Sequence, residues 1–415
     1  MNAPAAAPVR LPWIDGLRAV CALYIVGFWH LMDYVPAWPG YHNAVTQRLT
    51  VGVLGLFVLL SGFLLGQGAV APGWAGLRRF WARRLWRIYP LYLLALLAFW
   101  AIGLIGLKGV AKAALGLSMV WGPPPPTLWF VTALLVYYAV APWLIRALDQ
   151  GRTAGLAAAG LVAAVLAGLV LGGGHGDRRL LLYFPAFAAG LALARGGLSR
   201  PAGLAGGAAV GAAAVGAAVG AAVGAAGGAS RGSAVVTRVA VGAACAAALG
   251  LSLADAALPE TSLWSLPLAT AWPVALVLVV RWAAAAPGTG GVPDRPPGAA
   301  GWSGAAGAAG AGRARPMQAR HRLRRAVGAF WSAPVWAPLA RASFAMYLFH
   351  RPVYELLSRY LSAAAVPDGW IGSPLGRLLL LAGLGLPLVT VLAWALQRGY
   401  DGWLDGRRPP PAGRR

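Results

Sequence analysis

The chain has 415 residues, 59% of them hydrophobic and only 11% charged, with a mean hydropathy of +0.66. A soluble domain carries about 25% charged residues, so a single water-soluble core is excluded, and the chain reads as an all-α integral membrane protein. The net charge of +24 rests mostly on arginines in short stretches between apolar runs, a pattern of loops facing anionic headgroups and not of a nucleic-acid surface.

Taken in order, residues 1–10 form a short Pro/Ala-rich lead, and the run after them contains Asp15, Arg18 and His30. A cleavable signal excludes such charges from its apolar stretch, so this run is a retained first helix. Apolar runs fall near 13–33, 49–69, 87–107, 127–148, 154–173, 180–195, 202–226, 234–253, 264–283, 341–362 and 374–397, and several approach the roughly 20 residues that a helix needs to cross a bilayer. The strongest basic cluster between close runs, RRFWARRLWR at 78–87, is assigned to the cytoplasm, which puts the N-terminus inside. The stretch 284–327, basic and rich in Gly, Ala and Pro, is expected to be a flexible loop on the same side, as is the tail ending RRPPPAGRR. An even number of crossings follows. We expect about ten transmembrane helices in one bundle over residues 1–397, followed by a basic Pro-rich tail over 398–415. One run between 154 and 283 then fails to cross: 180–195 for its length, or 202–226 for its Gly/Ala/Val composition. Cys21 and Cys245 lie in apolar segments and read as small buried residues; neither a disulfide framework nor a metal site is expected.

Ionisable groups inside spans are costly and mark candidate sites. In LPWIDGLRAVCALYIVGFWHLMDY, Asp15 and Arg18 stand near the start and His30 lies 12 residues beyond Arg18, about 18 Å along a helix axis. We place Arg18 and His30 on one face, lining one cavity from opposite depths. Imidazole suits general-base work, but on this helix alone a histidine at the membrane interface is the stronger reading. Ser61-Gly62 in FVLLSGFLLG reads as small-residue helix packing before it reads as a nucleophile, which needs a base beside it. Arg84 and Arg87, with Arg83 adjacent, share a helix face in RRFWARRLWRIYPLY. Their guanidinium forks match phosphate, and a topology-setting contact with anionic lipid weighs equally. In SFAMYLFHRPVY, His350 follows Tyr347; a structural ring hydrogen-bonded to a neighbouring helix weighs about as much as a functional one.

Together these segments resemble one family, the bacterial membrane-bound acyltransferase-3 proteins. DGLR at 15–18 with His30 is similar to the family's opening motif, FVLLSGFLL at 57–65 to its second helix, and RRLWRIYPLY at 83–92 to its arginine-x-x-arginine segment. LWFVTALLVYYAVAPWL at 128–144 and SFAMYLFHRPV at 343–353 resemble its fourth-helix and C-terminal motifs. Two departures stand out. Eleven residues separate Arg18 from His30 against ten in the family motif, a difference of about 100° of helix turn. Val131 to Tyr137 contain no acid where the family often has a glutamate pair, so the acceptor contacts differ.

The resemblance implies an O-acyltransferase of the cell membrane that uses acyl-CoA, acetyl-CoA foremost, as cosubstrate and holds no bound cofactor or metal. Its acceptor would be a carbohydrate-containing molecule: a glycan, a glycolipid or a glycosylated metabolite. His30 and Arg18 would be catalytic, Arg84, Arg87 and Arg83 would hold the CoA phosphates, and His350, Asp15, Tyr347 and Ser61 would support substrate or structure. A multi-helix transporter or flippase is the alternative; the sequence shows no internal repeat in its favour.

Overall fold

The computed structural model describes residues 11–35, 41–172, 176–196, 250, 261–284, 322–364 and 369–406. Among these residues the chain is helical and has no strand. The elements are α1 (Pro12–Tyr24), α2 (Ala44–Gly66), α3 (Gly73–Ala101), α4 (Leu107–Ala114), α5 (Trp129–Gln150), α6 (Arg152–Leu171), α7 (Arg179–Leu182) and α8 (Phe184–Arg195). They continue as α9 (Leu266–Ala284), α10 (322–331), α11 (Trp336–Ala364), α12 (Pro374–Leu380) and α13 (Leu386–Gly406). Six helical stretches among the described residues are long and apolar enough to span a bilayer: Pro12–Tyr34, Ala44–Gly66, Trp129–Gln150, Arg152–Leu171, Leu263–Ala284 and Pro374–Gly406. α3 and α11, at 29 residues each, reach about 43 Å but carry several arginines. The expected runs at 202–226 and 234–253 lie outside the described residues, Gly250 excepted, as does Cys245; Cys21 is buried in α1.

Several boundaries differ from expectation for simple reasons. α3 begins at Gly73, so the basic cluster is itself helical: Arg, Leu and Trp are adequate helix formers, and Pro72 fixes the start. The 180–195 run is split at Tyr183 into α7 and the 12-residue α8, too short to cross. Residues 322–331 form α10 inside the stretch expected to be flexible, where Arg324 stacks on Trp282 at 4.6 Å and donates from Nε to its carbonyl at 3.0 Å. α13 runs on to Gly406, past the 397/398 division, because nothing between Gln397 and Gly406 breaks a helix until the prolines beyond.

α2 is the central post. Gly55 and Gly62 lie seven residues apart and so share a face. A Cβ at Gly55 would fall 2.0 Å from the Ala269 carbonyl oxygen, and one at Gly62 would fall 2.3 Å from that of Phe187. α8 answers in kind, since a Cβ at Gly190 would meet the Leu59 carbonyl oxygen at 2.1 Å. Backbone-to-backbone approach of this closeness is how helices adhere in lipid, where apolar side chains gain nothing by leaving the tails. The small-residue reading of Ser61-Gly62 is thus supported: Gly62 packs, and Ser61 Oγ donates to its own helix at the Phe57 carbonyl, 2.9 Å.

α1 is not a uniform helix. It passes at Ile25–Trp29 into a π-turn, closed by the His30 amide donating to the Ile25 carbonyl at 2.9 Å. This corrects the basis on which Arg18 and His30 were placed together. Twelve α-helical steps turn about 1200°, which leaves the two side chains about 120° apart. A π-turn takes up one extra residue, leaving about 1100°, within about 20° of three full turns. Their partners on α11 show the result: Arg18 Nη2 donates to Ser343 Oγ at 3.2 Å, and His30 stacks on His350, seven residues further along the same helix face.

Candidate functional site

Two polar cavities lie inside the bundle. The first, of about 470 Å³, is lined by Asp15 and Arg18 of α1, Phe57 and Ser61 of α2, and Arg84 and Arg87 of α3. α5 adds Phe130 and Tyr138, α11 adds Arg341 and Phe344, and α13 adds Gln397 and Asp401. Four arginines thus face two carboxylates, and Asp401 is engaged by Gln397 Nε2 at 2.9 Å. The surplus of positive charge suits a polyanion such as a chain of phosphates. Arg83 is exposed and is not among the lining residues, because one step along α3 turns it about 100° from Arg84. Leu11 and Asp401 line this one cavity, so both described ends of the chain stand at the same end of the bundle.

The second cavity, of about 340 Å³, holds the histidines. His30 lines it and is half-buried; its Nδ1 has no hydrogen-bond partner among the described residues. Fully buried behind it, the His350 ring lies parallel at 4.8 Å between centroids, with 8° between planes. His350 Nδ1 sits 2.8 Å from the Tyr347 carbonyl oxygen. A carbonyl only accepts, so Nδ1 carries the proton and the neutral ring presents a lone pair at Nε2. The two rings lie flat against one another, with no hydrogen bond between them among those the structure shows.

The floor and rim of this cavity were not legible beforehand. Tyr347 donates its hydroxyl to the Thr127 carbonyl, and Thr127 sits at φ +60°, a left-handed conformation that costs a β-branched residue about 1–3 kcal/mol. Pro124, Pro125 and Pro126 wall the same side and offer no backbone donors. Over the mouth, the Tyr41–Asn43 segment is pinned by three bonds: Tyr41 Oη to the Phe28 carbonyl at 2.6 Å, Thr46 Oγ1 to the Tyr41 carbonyl at 2.6 Å, and the Asn43 cap of α2. This places His42 beside Asp33, Nε2 to Oδ1 at 3.3 Å, and edge-on to Trp29. Asp33 supplies a carboxylate here, although Val131 to Tyr137 of α5 contain none. Arg179 stacks over Trp129 at 4.4 Å and holds Asp177 through two nitrogens, at 3.0 and 2.6 Å.

The two cavities stand back to back. On α2 the lining passes from Leu54 to Phe57, on α5 from Trp129 to Phe130, and on α11 from Tyr347 to Phe344. While on α1 about two turns separate Arg18 from Ile25, on these three helices each handover takes at most one helical turn, so there a single layer of side chains divides the spaces. Its members are aromatic: Phe57 meets Phe130 edge-to-face at 5.6 Å, and Phe130 meets Tyr347 at 5.2 Å. Arg18 and His30 therefore lie on opposite sides of a wall, and not in the one continuous cavity expected for them. Ser61, on the arginine side, has no histidine base near it among the described residues.

Fold and site together define a helical membrane protein organised around paired interior chambers, one cationic and one bearing an imidazole. The chain matches the acyltransferase domain of the acyltransferase-3 family over residues 11–398 and belongs to that family; it is an acyltransferase enzyme. No curated protein and no solved structure matches the chain.

Proposed function

We propose that this acyltransferase moves an acyl group, acetyl foremost, from acyl-CoA bound at the arginine cavity to a hydroxyl of a carbohydrate-containing acceptor held in the histidine cavity. The carrying observation is the single-layer wall between a chamber rich in guanidinium and a chamber containing His30. The arginine cavity would face the cytoplasm of a cell-membrane protein whose two termini share that side, and the other chamber would face the acceptor. Arg84, Arg87 and Arg341 would grip phosphates, with Arg18 deeper along the route. An extended pantetheine arm of roughly 15–20 Å matches the rise of about 18 Å from Arg18 to His30, so the thioester reaches the imidazole once the rings of the wall part.

In the reaction, His30 takes the proton from the acceptor hydroxyl, and the oxygen attacks the thioester carbonyl. The tetrahedral intermediate collapses with cleavage of the C–S bond, and the departing CoA thiolate takes the proton from the imidazolium. Acylation of His30 itself, followed by transfer to the acceptor, uses the same geometry and leaves the same products. A strain lacking the protein is expected to lose one acyl mass from a surface glycan, glycolipid or secreted glycoside; unchanged mass spectra of all three would refute the reading.

The donor half has its own test. Arg84→Ala and Arg87→Ala are each expected to raise the KM for acetyl-CoA by about tenfold or more, from about 1.5–3 kcal/mol per charge-assisted bond discounted for partial exposure. Arg83→Ala should leave it unchanged. An unaltered KM in all three, with weaker retention on anionic vesicles, would assign these arginines to lipid.

A further inference from the structure

The histidine cavity contains a guanidinium that makes no ion pair among the described residues. Arg351 lines it directly after His350, and its Nε is buried with no hydrogen-bond partner among the described residues. The neighbouring charged groups have partners of their own, and Asp33 is the one carboxylate among the lining residues. Arg179 is doubly bonded to Asp177, and His42 faces Asp33. Glu355, one turn beyond Arg351, is taken by Arg359 at 2.9 Å. A partly buried guanidinium with no ion-pair partner among the described residues is a ready anchor for an anion that enters the cavity.

We propose that Arg351 forms an anion subsite for the acceptor, so that the acylated molecule carries a carboxylate or phosphate close to the hydroxyl that reacts. This rests on the acyl-transfer reading above for its word acceptor, but the subsite itself needs only the cavity. The geometry restricts the distance between the two groups. Arg351 follows the histidine that stacks on His30, and both Arg351 and His30 open into the same 340 Å³. An acid fixed on the guanidinium therefore brings only nearby hydroxyls within reach of the imidazole, which gives regiochemistry as well as affinity. Planar carboxylates and phosphates both fit the guanidinium fork, and Trp29 and Asp33 remain on the wall for the rest of the ring.

The test uses the full chain in lipid nanodiscs and two matched pairs of probes: methyl glucuronoside against methyl glucoside, and glucose 6-phosphate against glucose. Binding is read by thermal shift, and transfer by mass spectrometry with acetyl-CoA present. For the wild type, at least one charged probe should bind about tenfold tighter than its neutral partner, and the pair that does so identifies carboxylate or phosphate. Arg351→Gln should erase the difference without lowering the melting temperature of the unliganded protein, and Arg351→Lys should restore part of it. Equal binding within both pairs, or a preference that survives in Arg351→Gln, overturns the subsite. Charge-selective binding that Arg351→Gln abolishes, with no acetyl transfer to any probe, upholds the subsite and counts against the acyl-transfer reading alone.

Discussion

His30→Ala should abolish acyl transfer while the protein remains inserted, folded and able to bind its donor. The side chain is half-buried in the histidine cavity, its Nδ1 has no hydrogen-bond partner among the described residues, and the ring is held flat against His350. A group used only for packing would not leave a buried nitrogen unsatisfied, since each such atom costs about 1–3 kcal/mol. Loss of a general base lowers turnover by about 10²–10⁴-fold, and loss of an acyl relay would lower it further. Single-turnover transfer of labelled acetyl groups in nanodiscs measures the effect, and the KM for acetyl-CoA should hardly move because the arginines proposed to bind its phosphates line the other cavity. Product at more than about a tenth of the wild-type rate would remove His30 from the chemistry. Acid-quenched mass spectrometry of the wild type without acceptor distinguishes the two roles, as an acetyl adduct on the helix containing His30 appears only with a relay.

The second large effect concerns assembly. Gly190→Ala places a methyl group 2.1 Å from the Leu59 carbonyl oxygen, where neither neighbour is a flexible side-chain tip. The α2–α8 contact must open, and overpacking of this kind costs typically about 1–3 kcal/mol and more when backbone has to shift. The variant is expected to show a much lower melting temperature by fluorescence-detected size exclusion, or no folded protein at all. Gly160→Ala on α6, where an added Cβ meets nothing within 4 Å, should behave as the wild type. Equal stability of the two variants would mean that α8 does not seat on α2 as described.

The sequence carried the all-helical class and most of the charged and aromatic groups of the site, because intramembrane His and Arg are conspicuous against an apolar background. It could not show where one chamber ends and the next begins. That boundary depends on whether residue 54 or 57, 129 or 130, 344 or 347 faces a given space, differences of one to three residues that a 3.6-residue period blurs. The π-turn at Ile25–Trp29 carries no compositional mark, yet it alone brings Arg18 and His30 to one side of α1. Tyr138 lies within the fourth-helix segment, where nothing singles it out from its apolar neighbours, and Asp33 and His42, near a Pro/Gly-rich loop, matched no motif; the fold alone brings them to the cavities. Arg351 was in plain view beside His350, and what draws attention to it is that its Nε is buried with no hydrogen-bond partner among the described residues, which only the packed structure reveals.

The ring layer of Phe57, Phe130 and Tyr347 also bears on the energetics of the cell. An enzyme that joined two aqueous compartments by an open passage would short-circuit the ion gradients across its membrane. Here a hydrated proton carrier or sodium ion entering either chamber meets aromatic faces that offer little to replace its water, and the transit is steeply uphill. If the two chambers face opposite sides, as proposed, acyl transfer would link them while the bilayer keeps its electrical insulation.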